Sequence, residues 1–430
     1  MGDPIVQTPE LDLLAEGGTV FSHGYSTASV CRPALQTLLT GLHPHQWIQR
    51  KEQIEEEIGS IIRPRLEVAY FPDTLPRRLA EVGYRSFQAG KHWEGSFADA
   101  GFDAGTAETF SPGATLGNDG NSFGRPEPID PLWNFVDSAS EQPLFLWLAP
   151  MLPHVPFDAP TEFRAPYEGQ GLVANAILYY ANISRLDALI GEILTGFSQR
   201  EMLQDTLIIY LSDNGWEQEP YIDHWMGSVI GGSRGKMSIY ELGFRTPIIF
   251  NWPGRVAEGR VLDDLISFED VHATILDYAG SSVAADHRGF SLRDRIEDPS
   301  QPVARDEIIG VMDAQRTRES EFVEGSGLGG LLKEERAAFV RTRDWHYLAY
   351  LDRDERELYR IDDDPFEEFD LAVENPDVTT ALDARMQDWL ETYLAVPEPS
   401  SSWLGASALL TIVIFRRTKR RSAPGNRIFC

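Results

Sequence analysis

Thr206-Leu207-Ile208-Ile209-Tyr210-Leu211-Ser212-Asp213-Asn214-Gly215 is an apolar run that ends abruptly in two oxygen-bearing side chains and a glycine. Consecutive apolar residues without alternation read as a strand buried on both faces, the pattern of a parallel sheet. Leu144–Leu148 and Ile248–Phe250 are runs of the same kind. A helical segment lies between the first two: over 177–194, Ile183, Leu186, Leu189, Ile190, Ile193 and Leu194 fall on one side. Alternating strands and helices predict an α/β fold, with a mainly parallel central sheet flanked by helices. Ligands of such sheets sit beyond the carboxyl ends of the strands. That rule makes Asp213 and Asn214 candidate site residues, together with His154, which follows another such strand after a short turn. Residues 300–395 differ. Shorter alternating runs such as Trp345–Tyr350, and a last helix around Val378–Leu394, predict a small antiparallel sheet covered by a helix.

Working outward, Cys31-Arg32-Pro33-Ala34-Leu35-Gln36-Thr37-Leu38-Leu39-Thr40-Gly41 holds one of the two cysteines; the other is Cys430. Pro33 is tolerated in a first helical turn because its missing N–H has no partner there. Leu35, Leu38, Leu39 and Leu42 follow at helical spacing, and Gly41 supplies a stop. This reading puts Cys31 at the N-cap, where free N–H groups and the helix dipole favour an anion. From the residues alone, a buried structural cysteine and a reactive or modified thiol both remain open.

The stretch resembles the type I sulfatase signature C-x-P-S-R-x-x-x-L-T-G, with Cys31, Pro33, Leu39, Thr40 and Gly41 in register; Ala34 and Leu35 replace its Ser and Arg. The resemblance continues in the family's order. Gln7–Gly17 is similar to the helix that precedes the cysteine, Gly90-Lys91-His92-Trp93-Glu94-Gly95 to a GKWHLG loop, and Gly101-Phe102-Asp103 to the GFD after it. Pro153-His154-Val155-Pro156 resembles a PHxP turn, and Thr206–Gly215 resembles TLVIFTSDNG. Arg234-Gly235-Lys236 with Tyr240–Pro247 resembles RGGKGSLYEGGIRVP, and Glu357–Pro365 resembles ELYDLENDP.

The resemblance implies a sulfuric ester hydrolase in which Cys31 is oxidised to formylglycine by a sulfatase-maturing enzyme. Asp213 and Asn214 match half of a site for Ca²⁺ or Mg²⁺, in keeping with hard oxygen donors. Lys91 and Lys236 become sulfate-binding cations, and His154 contacts the sulfate or protonates the leaving alcohol. Trp93 fills the slot of a second catalytic histidine, with His92 one position early; Trp93 and Glu94 are alternatively pocket residues. Leu35 binds no anion, and Arg32, about 100° around the helix, is the candidate replacement; Arg234 is a further substrate-binding candidate. Two other readings stay open: a catalytically impaired relative that binds anionic glycans, and a phosphoesterase of the same superfamily.

Among the 430 residues, 42% are hydrophobic and 11% aromatic, enough for a large core, and the formal charge of −29 leaves nucleic acid without a basic surface. The expected organisation is a catalytic domain over 1–299, an α+β subdomain over 300–395, a sorting segment over 396–422 and a tail over 423–430. Pro397-Glu398-Pro399, the apolar run Trp403–Phe415, and Arg416, Arg417, Lys419, Arg420 and Arg421 together resemble a PEP-CTERM signal. It implies an exported protein, transiently anchored in the inner membrane and processed by an exosortase. The run is short for a stable span of about 20 residues. Relative to the family pattern, Met1-Gly2-Asp3-Pro4 starts just past a strand whose paired aspartates complete the metal site. A mis-assigned start, a fragment, or a member lacking half its metal site is the expectation.

Overall fold

A computed structural model describes residues 4–62, 66–91, 94–107, 115–116, 126–127, 129–139, 142–154, 157–215, 234–236, 238–313, 336–394 and 427–429. Helix α1 (Pro9–Glu16) leads into β1 (Thr19–Tyr25), α2 (Cys31–Thr40) and α3 (Pro44–Ile58). Next come α4 (Leu75–Glu81), β2 (Arg85–Gly90), α5 (Phe97–Ala100), β3 (Ala104–Gly105), the short pair β4 (Thr115–Leu116) and β5 (Pro126–Glu127), α6 (Asp130–Ser138) and β6 (Leu144–Ala149). They are followed by α7 (Thr161–Arg164), α8 (Ala174–Gln199), β7 (Thr206–Leu211), α9 (Glu241–Phe244), β8 (Arg245–Asn251), β9 (Arg260–Ser267), α10 (Phe268–Ala279) and α11 (Arg293–Glu297). The last elements are β10 (Glu307–Asp313), β11 (Arg336–Thr342), β12 (Trp345–Tyr350), β13 (Arg356–Arg360), α12 (Pro376–Leu394) and β14 (Arg427–Phe429).

The central sheet has the order β3-β2-β6-β14-β7-β8-β1-β9. Pairings from β3 through β7 are parallel, β8 runs antiparallel to both its neighbours, and β9 is parallel to β1. Successive side chains of a strand point to opposite faces, and the core divides accordingly. Phe145 and Trp147 of β6, with Leu207 and Ile209 of β7, pack with Leu35, Leu38 and Leu39 of α2 and with α4 and α10. Leu144 and Leu146 face the other way, onto α6 and α8, while Ile208 and Ile249 meet Leu11 and Leu14 of α1. The sheet is therefore covered on both faces, which is why its strands read as unbroken apolar runs.

The second sheet, β10-β11-β12-β13, is an antiparallel meander. Leu382 and Met386 of α12 cover one face at Val340, Tyr347 and Leu358. The other face, through Phe339, Leu348 and Tyr350, packs on Tyr25, Phe244 and Leu265 of the main layer. Glu241 bolts the two layers together. Its buried carboxylate accepts from Tyr25 Oη at 2.7 Å and from Arg341 Nε at 3.0 Å.

Two sequence expectations change. Val30, extended at φ −138°, is the N-cap of α2, so Cys31 is its first helical residue. Residues 427–429, expected in a terminal tail, form a strand at the centre of the sheet, because their backbone pairs with β6 and β7 on both sides. The expected membrane segment 403–415 lies outside the described residues. Among the described residues no helix is long and apolar enough to cross a membrane.

Candidate active site

Cys31 opens α2 at the carboxyl end of the parallel strands. Its Sγ accepts a hydrogen bond from Lys236 Nζ at 3.2 Å, and its thiol also bonds to the Asp213 carboxylate. Asp213 follows β7 directly and takes Lys91 Nζ on Oδ2, again at 3.2 Å. Four chain segments thus deliver one thiol, two ammonium groups and one carboxylate to a single cluster. Burial by itself pushes the Asp213 carboxyl up, but the charges of Lys91 and Lys236, helped by the bonds from Cys31 and Lys91, bring it down to about 2. It is ionised throughout the physiological range, and two cations against one anion leave the site with an excess positive charge for an anionic ligand.

The backbone explains this convergence. Lys91 leaves β2 through Gly90, at φ +79°, where an added Cβ would lie 2.0 Å from Ala149 O. Only glycine allows that close approach without displacing a strand. The Lys91 N–H donates to Ala149 O at 2.6 Å, and Lys91 O accepts from Trp147 Nε1 at 3.1 Å. On the other side, Ser212 N–H donates to Thr246 Oγ1 at 3.0 Å and Gly215 N–H to Gly243 O at 2.9 Å, fixing the Asp213–Asn214 turn against β8 and α9. A Cβ at Gly215 would fall 2.0 Å from Leu242 O.

Asn214 is buried. Its Nδ2 donates to Gly215 O at 2.8 Å, whereas Oδ1 has no hydrogen-bond partner among the described residues. An orphaned buried oxygen next to an ionised carboxylate fits two positions in the shell of a hard divalent cation. Among the described residues no group of three or more His, Cys, Asp or Glu is arranged to hold a metal.

The other sequence candidates are placed differently. Arg32 turns away into a buried carboxylate pair, with Nε 2.6 Å from Glu94 Oε1 and NH2 3.0 Å from Glu67 Oε2. Gln36 Nε2 also donates to Glu94, at 2.6 Å. This corrects the expectation that Arg32 replaces the missing arginine at position 35: two acidic side chains already neutralise it. Burial raises the Glu94 carboxyl, and Arg32 opposes that shift. Arg234 stacks 4.6 Å above Tyr240 and 5.6 Å from Tyr359, and donates to Phe366 O at 3.3 Å, so it braces the second sheet against the Lys236 loop. His154 is half-buried in the turn after β6, its N–H on Met151 O at 2.8 Å. His92 and Trp93 lie outside the described residues. Leu35 is buried and lines an apolar wall beside Lys91 and Asp213. Glu67 and Gln36 were not candidates from sequence; buried polar residues flanking an Arg are the only signal that could have found them.

The sequence profile of the sulfatase family matches residues 1–281. Rat arylsulfatase K is 31% identical over 211 residues, 49% of this chain and 34% of that protein. Human arylsulfatase A is 29% identical over 326 residues, 65% of this chain and 61% of that protein. The chain thus spans about a third of the length of the arylsulfatase K proteins it matches, 34% for the rat protein. Among solved structures, Ps i-CgsB superposes with a TM-score of 0.67 at 21% identity, covering 90% of this chain and 88% of that one. A phosphonate monoester hydrolase of Agrobacterium radiobacter superposes with a TM-score of 0.62 at 19% identity, covering 91% and 92%. Those two likenesses speak for the α/β fold with its small antiparallel sheet. With the profile covering well over half of its residues and the thiol, lysine and aspartate segments converging at the strand ends, the chain belongs to the sulfatase family.

Proposed function

We propose that this chain is a sulfuric ester hydrolase acting on sulfate esters of sulfated polysaccharides, with position 31 as the nucleophile. The observation that carries the reading is the convergence of Cys31, Lys236, Asp213 and Lys91 within hydrogen-bond reach of one another. Asp213 and Asn214 would hold a Ca²⁺ or Mg²⁺ ion, which would supply charge for ionising the oxygen nucleophile that a formylglycine at position 31 would provide. The chain's own residues do the rest. Lys236, beside the reacting atom, stabilises negative charge that grows on position 31 and on the sulfate oxygens. Lys91, held by Ala149 and Trp147 through its backbone, supplies a second fixed cation. Asp213 keeps both ammonium groups oriented. His154, in the turn after β6, is the proton donor to the leaving alcohol. Two relatives support the substrate class: dog N-acetylgalactosamine-6-sulfatase is 27% identical over 331 residues, and one structural relative, Ps i-CgsB, has been solved in complex with k-i-k-neocarrahexaose.

Export, transient anchoring by residues 403–415, processing by an exosortase and service by a maturing enzyme complete this proposal. A second reading, an anionic-glycan binder without turnover, is favoured by the donor set, since Asp213 and Asn214 are the only metal-type ligands the described cluster offers. The deciding experiment is peptide mass analysis across Cys31 of protein from its native host, alongside sulfate release from sulfated polysaccharides. A mass about 18 Da below that of cysteine supports the hydrolase. An intact thiol with glycan binding and no released sulfate overturns it in favour of the binder. In the converted enzyme, Lys236→Met should lower kcat/KM by about 100-fold.

A further inference from the structure

Arg32 and Gln36 stand one helical turn apart on α2, so their side chains share a face. Both end on one buried carboxylate. Glu94 Oε1 accepts from Arg32 Nε and from Gln36 Nε2, each at 2.6 Å, and Oε2 accepts from Arg32 NH2 at 3.3 Å. The same NH2 donates to the buried Glu67 Oε2 at 3.0 Å, and Lys51 Nζ of α3 is 3.5 Å from Glu67 Oε1. Glu55, partly exposed, closes the outer end at 3.7 Å from Lys51. The charges of Arg32 and Lys51 are thus offset within the group, which lends the neighbouring anion site no positive charge.

What the group lends is a fixed geometry. Leu35, Leu38 and Leu39 hold α2 to the core by apolar contacts, which are non-directional and leave small rotations cheap. A bidentate guanidinium–carboxylate pair is directional and tolerates little displacement. Through it the first two turns of α2, which begin at Cys31, are tied to the segment that starts at Lys91. Lys91 is itself pinned to β6 through Ala149 O and Trp147. The clamp therefore closes the frame that sets Cys31 against Lys91 and Asp213.

We propose that Glu94 is a positioning residue of the anion site: by holding Arg32 and Gln36 it fixes the rotation of α2, and with it the place of position 31 relative to Lys91 and Asp213. The inference rests on the reading that position 31, Lys91, Lys236 and Asp213 receive a sulfate group. Glu94 itself touches none of the reacting atoms.

The sign of one effect tests this. Glu94→Gln removes a negative charge beside an anion site, so electrostatics alone predicts tighter sulfate binding. Loss of positioning predicts weaker binding, because either placement of the amide NH2 group meets a donor of Arg32 or Gln36. On the full chain, the dissociation constant for inorganic sulfate, read by calorimetry, should rise about fivefold in Glu94→Gln, and kcat of the converted enzyme should fall about tenfold. Combining Arg32→Met, Gln36→Leu and Glu94→Met removes the clamp without stranding a charge, since Lys51 stays on Glu67. That triple variant should keep the parent's urea midpoint and still show both losses. Unchanged or tighter sulfate binding in Glu94→Gln overturns the proposal, as does a triple variant with parental affinity and kcat. If the parent binds sulfate but releases none from esters, the hydrolase reading fails and the affinity comparison still decides the clamp. A parent that binds no sulfate overturns both. If the triple variant does not fold, the sign of the Glu94→Gln effect decides alone.

Discussion

Asp213 holds the Lys91 ammonium on its carboxylate and feels the charge of Lys236 as well, and its ionisation sets the sign of a pH effect. Its carboxyl sits at about 2 in the folded protein against an ordinary 3.8. The stabilisation it contributes is complete above the ordinary value and drains away as pH falls toward 2. Asp213→Asn leaves Lys91 and Lys236 buried without their counter-charge and should cost about 3 kcal/mol in urea unfolding at pH 7. Adding Lys91→Met to that variant should recover part of the loss, as a double-mutant cycle will show. At this scale the sequence was legible where a motif carried chemistry: Cys31, Lys91, Asp213 and Lys236 meet in one cluster. Arg32 was not. Its partners Glu67 and Glu94 stand 35 and 62 positions away in sequence, and nothing local in Cys31–Gly41 announces a carboxylate arriving from another loop.

Elements whose burial is one-sided or complete were readable because periodicity reports burial. α2 places Leu35, Leu38 and Leu39 in the core as its spacing demands, and β6 and β7 run as their apolar stretches predict. β1 was not singled out. Its Ser22, His23 and Gly24 interrupt the apolar pattern, and its register shifts between Phe21 and Gly24 against β8. β14 was unreadable for a different reason, since three residues in a basic stretch carry no period and both partners lie more than 200 positions earlier. The junction between the two sheets rests on the Glu241–Arg341 pair, which is almost fully buried, at 1% and 0% exposure. Glu241→Ala strands that guanidinium and should cost about 3–5 kcal/mol in denaturant unfolding. Asp263→Ala, which breaks the exposed pair with Arg343, should stay within about 0.5 kcal/mol of the parent.

Across the whole molecule, histidines are concentrated where α2, α3 and α10 meet. His43 and His45 contact at 2.7 Å between Nδ1 atoms, and His272 stacks on His287 with ring centres 5.0 Å apart. Burial lowers His45 and His272 to about 3, with Arg288 adding to the effect on the first and His287 on the second. Both are neutral above about pH 6.5 in either state. Below that, the unfolded chain takes protons the folded protein refuses, so stability falls as pH drops from 6.5 toward 3. Burial raises the carboxyls of Glu94 and Glu269, and these push the other way. The difference between variants isolates one histidine. His272→Asn keeps a donor for Leu38 O, which accepts from Nδ1 at 3.0 Å. It should lose about 2 kcal/mol less than the parent between pH 6.5 and 5, read from unfolding midpoints.

The place of β14 in the sheet also bears on the order of synthesis. Strands β3-β2-β6 on one side and β7-β8-β1-β9 on the other are all made before residue 427 leaves the ribosome. Until then, among the described residues, β6 and β7 have no strand between them, and apolar strand edges of that kind recruit other chains. The joining contacts span more than 200 residues of sequence, so loop closure makes them slow to form. A protein whose keystone is threaded last depends, during its own birth, on whatever shields that seam.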